Sequence, residues 1–113
     1  GSIAGSESLI LSLDDDLRMR AVIAEATHGT APSLQGKNVA NPIAMILAGA
    51  ALLSYTESEP LQRVHRAIRE ATLEAVYDGV RTSDLGGQAT TSEFTDEVIR
   101  RVRAKLAVWD ALG

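Results

Sequence analysis

The sequence predicts an α/β fold that is rich in helix and contains one or a few short strands. A β-branched segment at 19–25 runs into turn residues, and three later segments have the start and stop signals of helices. Between the strand and the first helix lies a polar loop at 27–42. A loop of that length within a compact domain usually serves a function.

Composition places the 113-residue chain among ordinary globular proteins, as one domain or part of one, because 45% of its residues are hydrophobic and 23% are charged. Its formal net charge of −4 argues against nucleic-acid partners and anionic membranes. The longest apolar run, Ile43–Leu53, is far shorter than the roughly 18 residues that cross a bilayer. We therefore expect a soluble, cytoplasmic protein. Because Gly1 stands where methionine would start a chain, we expect a cleaved tag or a cut from a longer polypeptide.

Two segments precede the loop. Residues 6–12 end in a short apolar run, which predicts a buried segment that stops at the exposed turn Asp14–Asp16. Three adjacent carboxylates diverge on a helix or a strand, so we assign no metal to them. Residues 19–25 fit strand or helix by composition, and the turn residues that follow favour a strand.

Three helices are predicted after the loop. Asn41 is a suitable N-cap and Pro42 a suitable first residue for a helix that continues to Tyr55. This helix is apolar on nearly every side, so it should be buried on most of them. The second helix runs from Pro60 to about Asp78, with Leu61, Val64, Ile68 and Ala71 or Ala75 on its buried face. A capping box starts the third helix, whose buried stripe should be Phe94, Val98, Val102, Leu106 and Trp109, with Thr90 and Glu93 forming the box.

The most informative stretch is EATHGTAPSLQGKNVAN at 25–41, which leads into the first helix. It closely resembles the nucleotide loop of the β-decarboxylating dehydrogenases, the group of isocitrate, 3-isopropylmalate, homoisocitrate and tartrate dehydrogenases. A second block, VRTSDLGGQATTSEF at 80–94, resembles the segment between the last two helices of that family. The likeness extends from about Val22 to Val102. It implies that residues 1–113 are the C-terminal part of the family's large domain, with a nucleotide-binding loop at 27–42.

The resemblance implies that these two blocks bind the adenine side of a dinucleotide through Glu25, His28, Gly29, Thr30, Ala31, Pro32, Ser33, Leu34, Ala40, Asn41 and Asp84. The residue types suit the task. Gly29 permits close backbone approach, Pro32 stiffens the turn, His28 offers a flat ring, and Asn41 has both a donor and an acceptor for an adenine edge. Glu25 would face the ribose or else cap a neighbouring helix, and Asp84 would lie near the adenosine or simply serve its turn.

Cofactor choice depends on the charge near the adenosine 2′ position, because a phosphate there favours basic partners. By the resemblance, Ser33 and Leu34 occupy positions where NADP-dependent members often have Lys-Tyr and NAD-dependent members have an Asp followed by an aliphatic residue. Leu34 and the lack of a basic pair favour NAD. Ser33 matches neither pattern, so NADP stays open.

The family oxidises a 2-hydroxy acid and then decarboxylates it, with Mg²⁺ or Mn²⁺ polarising the reacting oxygen. Its arginine cluster, Tyr/Lys pair and metal-binding aspartates precede the nucleotide loop. The resemblance therefore implies no catalytic residue and no metal ligand in this chain.

Three hypotheses follow. The leading one is a part of an NAD(P)-dependent, Mg- or Mn-assisted oxidoreductase that oxidatively decarboxylates a 2-hydroxy di- or tricarboxylic acid. This part would be inactive without the rest of the enzyme, and the whole would be a homo-oligomer. The second is a non-catalytic nucleotide-binding or subunit-interaction module derived from the same fold. The third is a purely structural helical domain.

Overall fold

The computed structural model describes residues 7–26 and 32–113. Its main elements, in chain order, are β1 (Glu7–Leu13), β2 (Met19–Ala26), α1 (Ile43–Leu53), α2 (Glu59–Tyr77) and α3 (Thr91–Leu112). Short 3₁₀ turns at 32–34 and 83–85 lie in the loops that precede α1 and α3. The predicted helix-rich α/β architecture is confirmed, and the two strands form one antiparallel sheet.

The turn between the strands is the exposed aspartate turn that the sequence predicts. Oδ1 of Asp14 accepts hydrogen bonds from the backbone N–H groups of Asp16 (2.9 Å) and Arg18 (2.8 Å). Leu17 takes a left-handed backbone conformation with φ of 63°, which closes the turn. The strand predicted at 19–25 is also confirmed, as β2.

The prediction that the segment ending at Ser12 is buried is wrong for its described part. The side chains of Leu9, Ile10 and Leu11 are 40%, 51% and 48% exposed. Helix α1 contacts both strands and half-buries alternate residues of β2, whereas Ile23 on the opposite face is 53% exposed. An apolar pattern shows that a strand is suited to burial, but a second covering layer must come from other residues. Within the described part of the chain, α1 covers one face of the hairpin and the other face stays open.

Helix α1 is buried on most sides, as its composition predicts, through Ile43, Ala44, Leu47, Ala48, Ala50 and Ala51. Met45 and Leu52 remain 59% and 40% exposed on the remaining side. The helix ends at Leu53, two residues before the predicted end at Tyr55. Within residues 7–26 and 32–113, none of the helices is long and apolar enough to cross a membrane.

Helix α2 begins at Glu59, with Ser58 as N-cap and Pro60 in its first turn. Its C-terminus has the hydrogen bonds of a Schellman motif. The N–H of Gly79 donates to the carbonyl of Val76 and that of Val80 to Ala75, with Gly79 at φ of 95°. The sequence therefore located both ends to within one residue.

The buried face of α2 agrees with the predicted one at Ala71 and Ala75 and differs from it at the larger residues. The side chains that are fully buried are Ala67, Ala71, Thr72 and Ala75. Leu61 is 38% exposed, and Val64 and Ile68 are half-buried. The small side chains allow α1 and α3 to approach closely, so the larger aliphatic residues flank the contact instead of forming its centre.

Helix α3 starts with the predicted capping box. Thr90 Oγ1 accepts from the N–H of Glu93 (3.0 Å), and Glu93 Oε1 accepts from the N–H of Thr90 (2.9 Å). Along the predicted stripe, Phe94 and Val98 are buried, and burial then decreases, so that Val102, Leu106 and Trp109 are half-buried. The core cluster consists of Ile43, Leu47, Ala71, Ala75, Phe94 and Val98.

Ion pairs line the antiparallel contact between α2 and α3. Arg101 bonds both Glu97 on its own helix (2.6 Å) and Asp78 at the end of α2 (2.7 Å). Lys105 bonds Glu74 at 2.7 Å, and the guanidinium of Arg66 lies 5.4 Å from the ring centre of Trp109. Arg101 and Arg66 therefore connect the two helices.

Candidate functional site

The second half of the predicted nucleotide loop is a tightly turned segment. Residues 32–34 form a 3₁₀ turn, and the carbonyl of Leu34 accepts from the N–H of Lys37 (3.1 Å). Gly36 and Asn38 both have left-handed backbones, with φ of 79° and 56°. Ser33 and Leu34, the predicted cofactor-selecting positions, are exposed. The predicted residues His28, Gly29, Thr30 and Ala31 lie outside the described residues.

Asn41, at the end of this loop, makes one hydrogen bond through its amide oxygen and one through its amide nitrogen. Its Oδ1 accepts from the backbone N–H of Ile43, the first residue of α1, at 2.9 Å. Pro42 occupies the N-cap position, so the helix begins one residue later than predicted. The Nδ2 of Asn41 donates to Oδ2 of Asp84 (3.0 Å). Two predicted site residues that are 43 positions apart are therefore in direct contact.

Asp84 is exposed and ionised more readily than an ordinary aspartate. Its Oδ1 accepts from the hydroxyl of Thr82 (2.5 Å), a buried residue. Partial burial alone would raise the pKa of Asp84. Hydrogen bonds from Thr82, from Asn41 and from its own backbone N–H outweigh that effect and lower the pKa. Asp84 is thus both a turn aspartate, as one hypothesis had it, and a partner of the nucleotide loop.

Two glycines shape the loop that presents Asp84. Gly86 has φ of 82°, and a Cβ on Gly87 would lie 2.1 Å from the carbonyl oxygen of Arg81. That close approach brings the N–H of Ala89 to the same carbonyl, at 2.9 Å. Only glycine at position 87 lets the loop close in this way, so the loop geometry that orients Asp84 is fixed by the backbone.

A second connection joins the nucleotide loop to the first residues of α3, and we call it the α3 latch. The carbonyl of Asn38 accepts from the N–H of Thr91 (2.9 Å), and the carbonyl of Ala40 accepts from the hydroxyl of Thr91 (2.6 Å). Oδ1 of Asn38 accepts from the N–H (3.1 Å) and the hydroxyl (3.0 Å) of Ser92. The α3 latch therefore holds the backbone immediately before Asn41.

Sequence reasoning did not find the α3 latch. The one local signal is Asn38 directly after Gly-Lys, since asparagine tolerates the left-handed conformation better than most residues. Its partners Thr91 and Ser92 are more than 50 positions away, with nothing in their spacing to indicate a contact.

Glu25, the remaining candidate from the first block, lies near the end of β2, opposite Ser8 of β1. Its side chain is exposed. Among the described residues, no hydrogen bond joins its carboxylate to Asn41 or Asp84. Its predicted position toward a ribose stays a prediction.

Among residues 7–26 and 32–113, no group of three or more His, Asp or Glu side chains is arranged to hold a metal ion. The donor set of the Asn41–Asp84 pair suits a different kind of ligand. Asn41 keeps one free N–H on Nδ2 and one free lone pair on Oδ1, the pattern with which an asparagine amide reads an adenine edge. Beside it, the Asp84 carboxylate can accept a hydrogen bond from a sugar hydroxyl.

Comparison with known proteins assigns the chain to a family. The sequence profile for isocitrate/isopropylmalate dehydrogenase matches residues 4–98. The chain therefore belongs to the isocitrate/isopropylmalate dehydrogenase family, as the resemblance predicted. Members of this family are decarboxylating dehydrogenases that generally use NAD(P) and a divalent metal ion.

Two relatives and one solved structure illustrate the similarity. The chain is 44% identical over 77 residues to the mitochondrial isocitrate dehydrogenase (NAD) catalytic subunit 5 of Arabidopsis thaliana, covering 67% of the chain and 20% of that protein. It is 42% identical over 89 residues to a mitochondrial isocitrate dehydrogenase (NAD) regulatory subunit of Dictyostelium discoideum, covering 76% and 24%. The apo crystal structure of a β-decarboxylating dehydrogenase from Thermococcus kodakarensis superposes with a TM-score of 0.67 at 36% identity, covering 76% of the chain and 24% of that structure. The chain thus spans between a fifth and a quarter of each.

Proposed function

We propose that this chain supplies the adenine side of the dinucleotide site in an NAD(P)-dependent decarboxylating dehydrogenase. The observation that carries the proposal is the Nδ2–Oδ2 hydrogen bond of 3.0 Å between Asn41 and Asp84. It joins the two sequence blocks in which the resemblance to the family's nucleotide site is strongest. Both side chains retain hydrogen-bonding capacity at their exposed edges.

In this proposal Asn41 binds the adenine edge and Asp84 binds the adenosine. The N–H that Asn41 gives to Asp84 fixes the plane of the amide, and its Oδ1 is fixed by Ile43. The remaining donor and acceptor are therefore oriented before a ligand arrives, which reduces the entropy lost on binding. By the resemblance, the segment His28–Pro32 would contact the base and ribose, together with Ser33, Leu34 and Ala40.

We favour NAD over NADP as the cofactor. The side chains at 33 and 34 are exposed and carry no positive charge, and a bound 2′-phosphate normally requires basic partners. Asp84 carries a negative charge at neutral pH, and the hydrogen bonds that it accepts lower its pKa further. Like charges repel, so a 2′-phosphate near Asp84 would bind less well than a free hydroxyl.

The reaction belongs to the whole enzyme, and the rest of that enzyme is the partner we propose for this chain. The nicotinamide of the cofactor would accept hydride from a 2-hydroxy di- or tricarboxylic acid of the isocitrate or isopropylmalate type. The part of this chain that the structure describes has no cluster suited to the Mg²⁺ or Mn²⁺ of the family. The resemblance places the family's substrate and metal residues ahead of the nucleotide loop, and on that ground we expect the chain alone to be inactive. Its homo-oligomeric state and cytoplasmic location stay predictions, and the two relatives above are mitochondrial by name.

A second function is favoured by one comparison. The relative from Dictyostelium discoideum is named as regulatory, and it matches as large a share of this chain as the solved structure does. A regulatory descendant would keep the fold and contact a catalytic partner, with or without a nucleotide. Ligand binding by the Asn41–Asp84 pair separates the adenine-side function from a module that retains only the scaffold.

The test is calorimetric titration of the chain with ADP-ribose, which contains the adenine side of the cofactor without the nicotinamide. Asn41→Ser keeps a side-chain oxygen that can accept from the N–H of Ile43 but removes the amide, and Asp84→Asn removes the carboxylate. We expect each to weaken ADP-ribose binding about tenfold, since each removes one or two hydrogen bonds to the ligand. Asp96→Asn, which changes the same charge on the exposed side of α3, should bind as the unaltered chain does.

Failure of the unaltered chain to bind ADP-ribose would overturn the proposal in favour of a scaffold function. Equal binding by Asn41→Ser and Asp84→Asn would show that the ligand lies elsewhere. Tighter binding of 2′-phospho-ADP-ribose than of ADP-ribose would reverse the cofactor preference and leave the adenine-side function standing.

A further inference from the structure

The α3 latch lies next to the proposed adenine site without being part of it. Its four hydrogen bonds connect Asn38 and Ala40 with Thr91 and Ser92, at distances between 2.6 and 3.1 Å. None of these residues except Ala40 belongs to the set expected to surround the cofactor. The contact that most directly concerns the site is the one from the Thr91 hydroxyl to the carbonyl of Ala40, because Ala40 precedes Asn41.

The Thr91 hydroxyl controls the direction of a backbone donor at the site. A peptide unit is planar and trans, so the carbonyl of Ala40 and the N–H of Asn41 point in opposite directions. Because the carbonyl points to Thr91, the N–H of Asn41 points away from α3. Within the described residues this N–H has no backbone acceptor. It is available beside the Asn41 amide for a ring nitrogen of a planar heterocycle.

The start of α3 makes the α3 latch rigid. A helix begins with four N–H groups that lack partners within the helix. Here the N–H groups of Thr90 and Glu93 are satisfied by the capping box, and those of Thr91 and Ser92 by Asn38. Moving the nucleotide loop away from α3 would exchange these exposed hydrogen bonds for bonds to water, which opposes the movement modestly.

We propose that Thr91 is a positioning residue: its hydroxyl orients the Ala40–Asn41 peptide, so that adenine affinity depends on a side chain that does not touch the ligand. The inference rests on the proposed function, because it concerns how that same site is held. Asn38 supports the same geometry through its left-handed backbone and its Oδ1. The Asn41–Asp84 pair holds the side chain of Asn41, and the α3 latch holds its backbone.

The experiment measures the dissociation constant of ADP-ribose for Thr91→Val and Thr91→Ser in the full chain. Valine keeps the β-branched shape and removes the hydroxyl, whereas serine keeps the hydroxyl. We expect Thr91→Val to weaken binding about fivefold, the equivalent of one hydrogen bond, and Thr91→Ser to bind within about twofold of the unaltered chain.

Combining Thr91→Val with Asn41→Ser tests whether Thr91 acts through the backbone. Asn41→Ser removes the side-chain amide but keeps the backbone N–H that Thr91 orients, so the affinity losses of the two variants should add. Thermal unfolding separates positioning from general destabilisation, because Thr91→Val should lose affinity while its unfolding midpoint stays close to that of the unaltered chain. A double variant that binds no more weakly than Asn41→Ser, or equal losses in Thr91→Val and Thr91→Ser, would overturn the positioning role.

A second pair of variants keeps the test decisive if Thr91→Val unfolds. Asn38→Gly tolerates the left-handed backbone but removes Oδ1, and Asn38→Asp retains an acceptor that a helix N-terminus favours. We expect weaker binding in the first and restored binding in the second. If the unaltered chain binds ADP-ribose and neither Thr91→Val nor Asn38→Gly changes the affinity, the positioning role is wrong and the proposed function remains. If the unaltered chain does not bind, both fail.

Discussion

The hairpin and the helical part of this chain differ in how far their apolar side chains are buried. In the hairpin, Ile10 and Ile23 face each other and both are about half exposed, so the pairing rests mainly on backbone hydrogen bonds. In the helical part, Phe94 and Leu47 are fully buried, and ion pairs span α2 and α3. The difference shows which part has its packing partners within the described residues. The candidate site lies on the loops of the helical part.

The largest expected effect comes from emptying the helical core. Phe94→Ala should destabilise the chain by about 3–5 kcal/mol, because it removes a fully buried aromatic side chain and leaves a cavity. Ile23→Thr, a β-branched replacement on the open face of the hairpin, should change stability by less than about 0.5 kcal/mol. Urea unfolding followed by the fluorescence of Trp109, the sole tryptophan, measures both. Similar losses in the two variants would contradict the division into a packed and an open region.

A smaller effect distinguishes glycines that geometry requires from those that it does not. Gly87→Ala would place a Cβ against the Arg81 carbonyl and should cost about 1–3 kcal/mol through overpacking. Gly49→Ala in α1 meets no atom within 4 Å and should stabilise the helix by up to about 1 kcal/mol. Thermal unfolding of the two variants should therefore shift in opposite directions. Destabilisation by Gly49→Ala would mean that α1 has a neighbour which the described residues do not show.

The smallest expected effect is a loss of folding stability at low pH that arises in the helical part. Hydrogen bonds from Arg100 and Arg101, together with their charges, lower the pKa of Glu97 to about 2. A carboxylate with a lowered pKa in the folded state stabilises the fold above its unfolded value near 4.5, and the stabilisation is lost as pH falls toward 2. Glu97→Gln should flatten the decrease in unfolding midpoint across this interval. A decrease identical to that of the unaltered chain would show that these exposed pairs contribute nothing measurable.

The sequence predicted the helices well because their ends have local causes. Each of these signals acts within one turn of the chain and can therefore be identified from sequence alone. They are the Thr90–Glu93 capping box, Pro60 in a first turn and Gly79 after a last turn. The burial of β1 was predicted wrongly, because exposure depends on which other segment covers a strand. On α2 the burial of Ala71 and Ala75 was predicted, whereas that of Leu61, Val64 and Ile68 was overestimated, because the neighbouring helices approach most closely at the small residues.

For the site, the resemblance supplied Asn41 and Asp84, and their hydrogen bond is what the structure adds. The helix start near Asn41 and Pro42 could be predicted to within one residue, whereas the partner of the Asn41 amide could not. Thr91 was not predicted, because its hydroxyl donates to a carbonyl 51 positions earlier and such a contact produces no recognisable pattern in the sequence. The ligand-binding roles of the candidate residues stay predictions until the titrations above are made.

The fully satisfied start of α3 has a consequence for how a dinucleotide can be recognised here. Free N–H groups at a helix N-terminus usually attract phosphate, and in many nucleotide-binding folds they hold the pyrophosphate. At α3 those groups already bond Asn38, Thr90 and Glu93, and the Glu93 carboxylate adds negative charge at the same end. The start of α3 therefore has no free N–H among residues 90–93 with which to bind an anion. Recognition on this side must come from matching the shape and hydrogen-bond pattern of a neutral base and sugar, and it should change little with salt concentration.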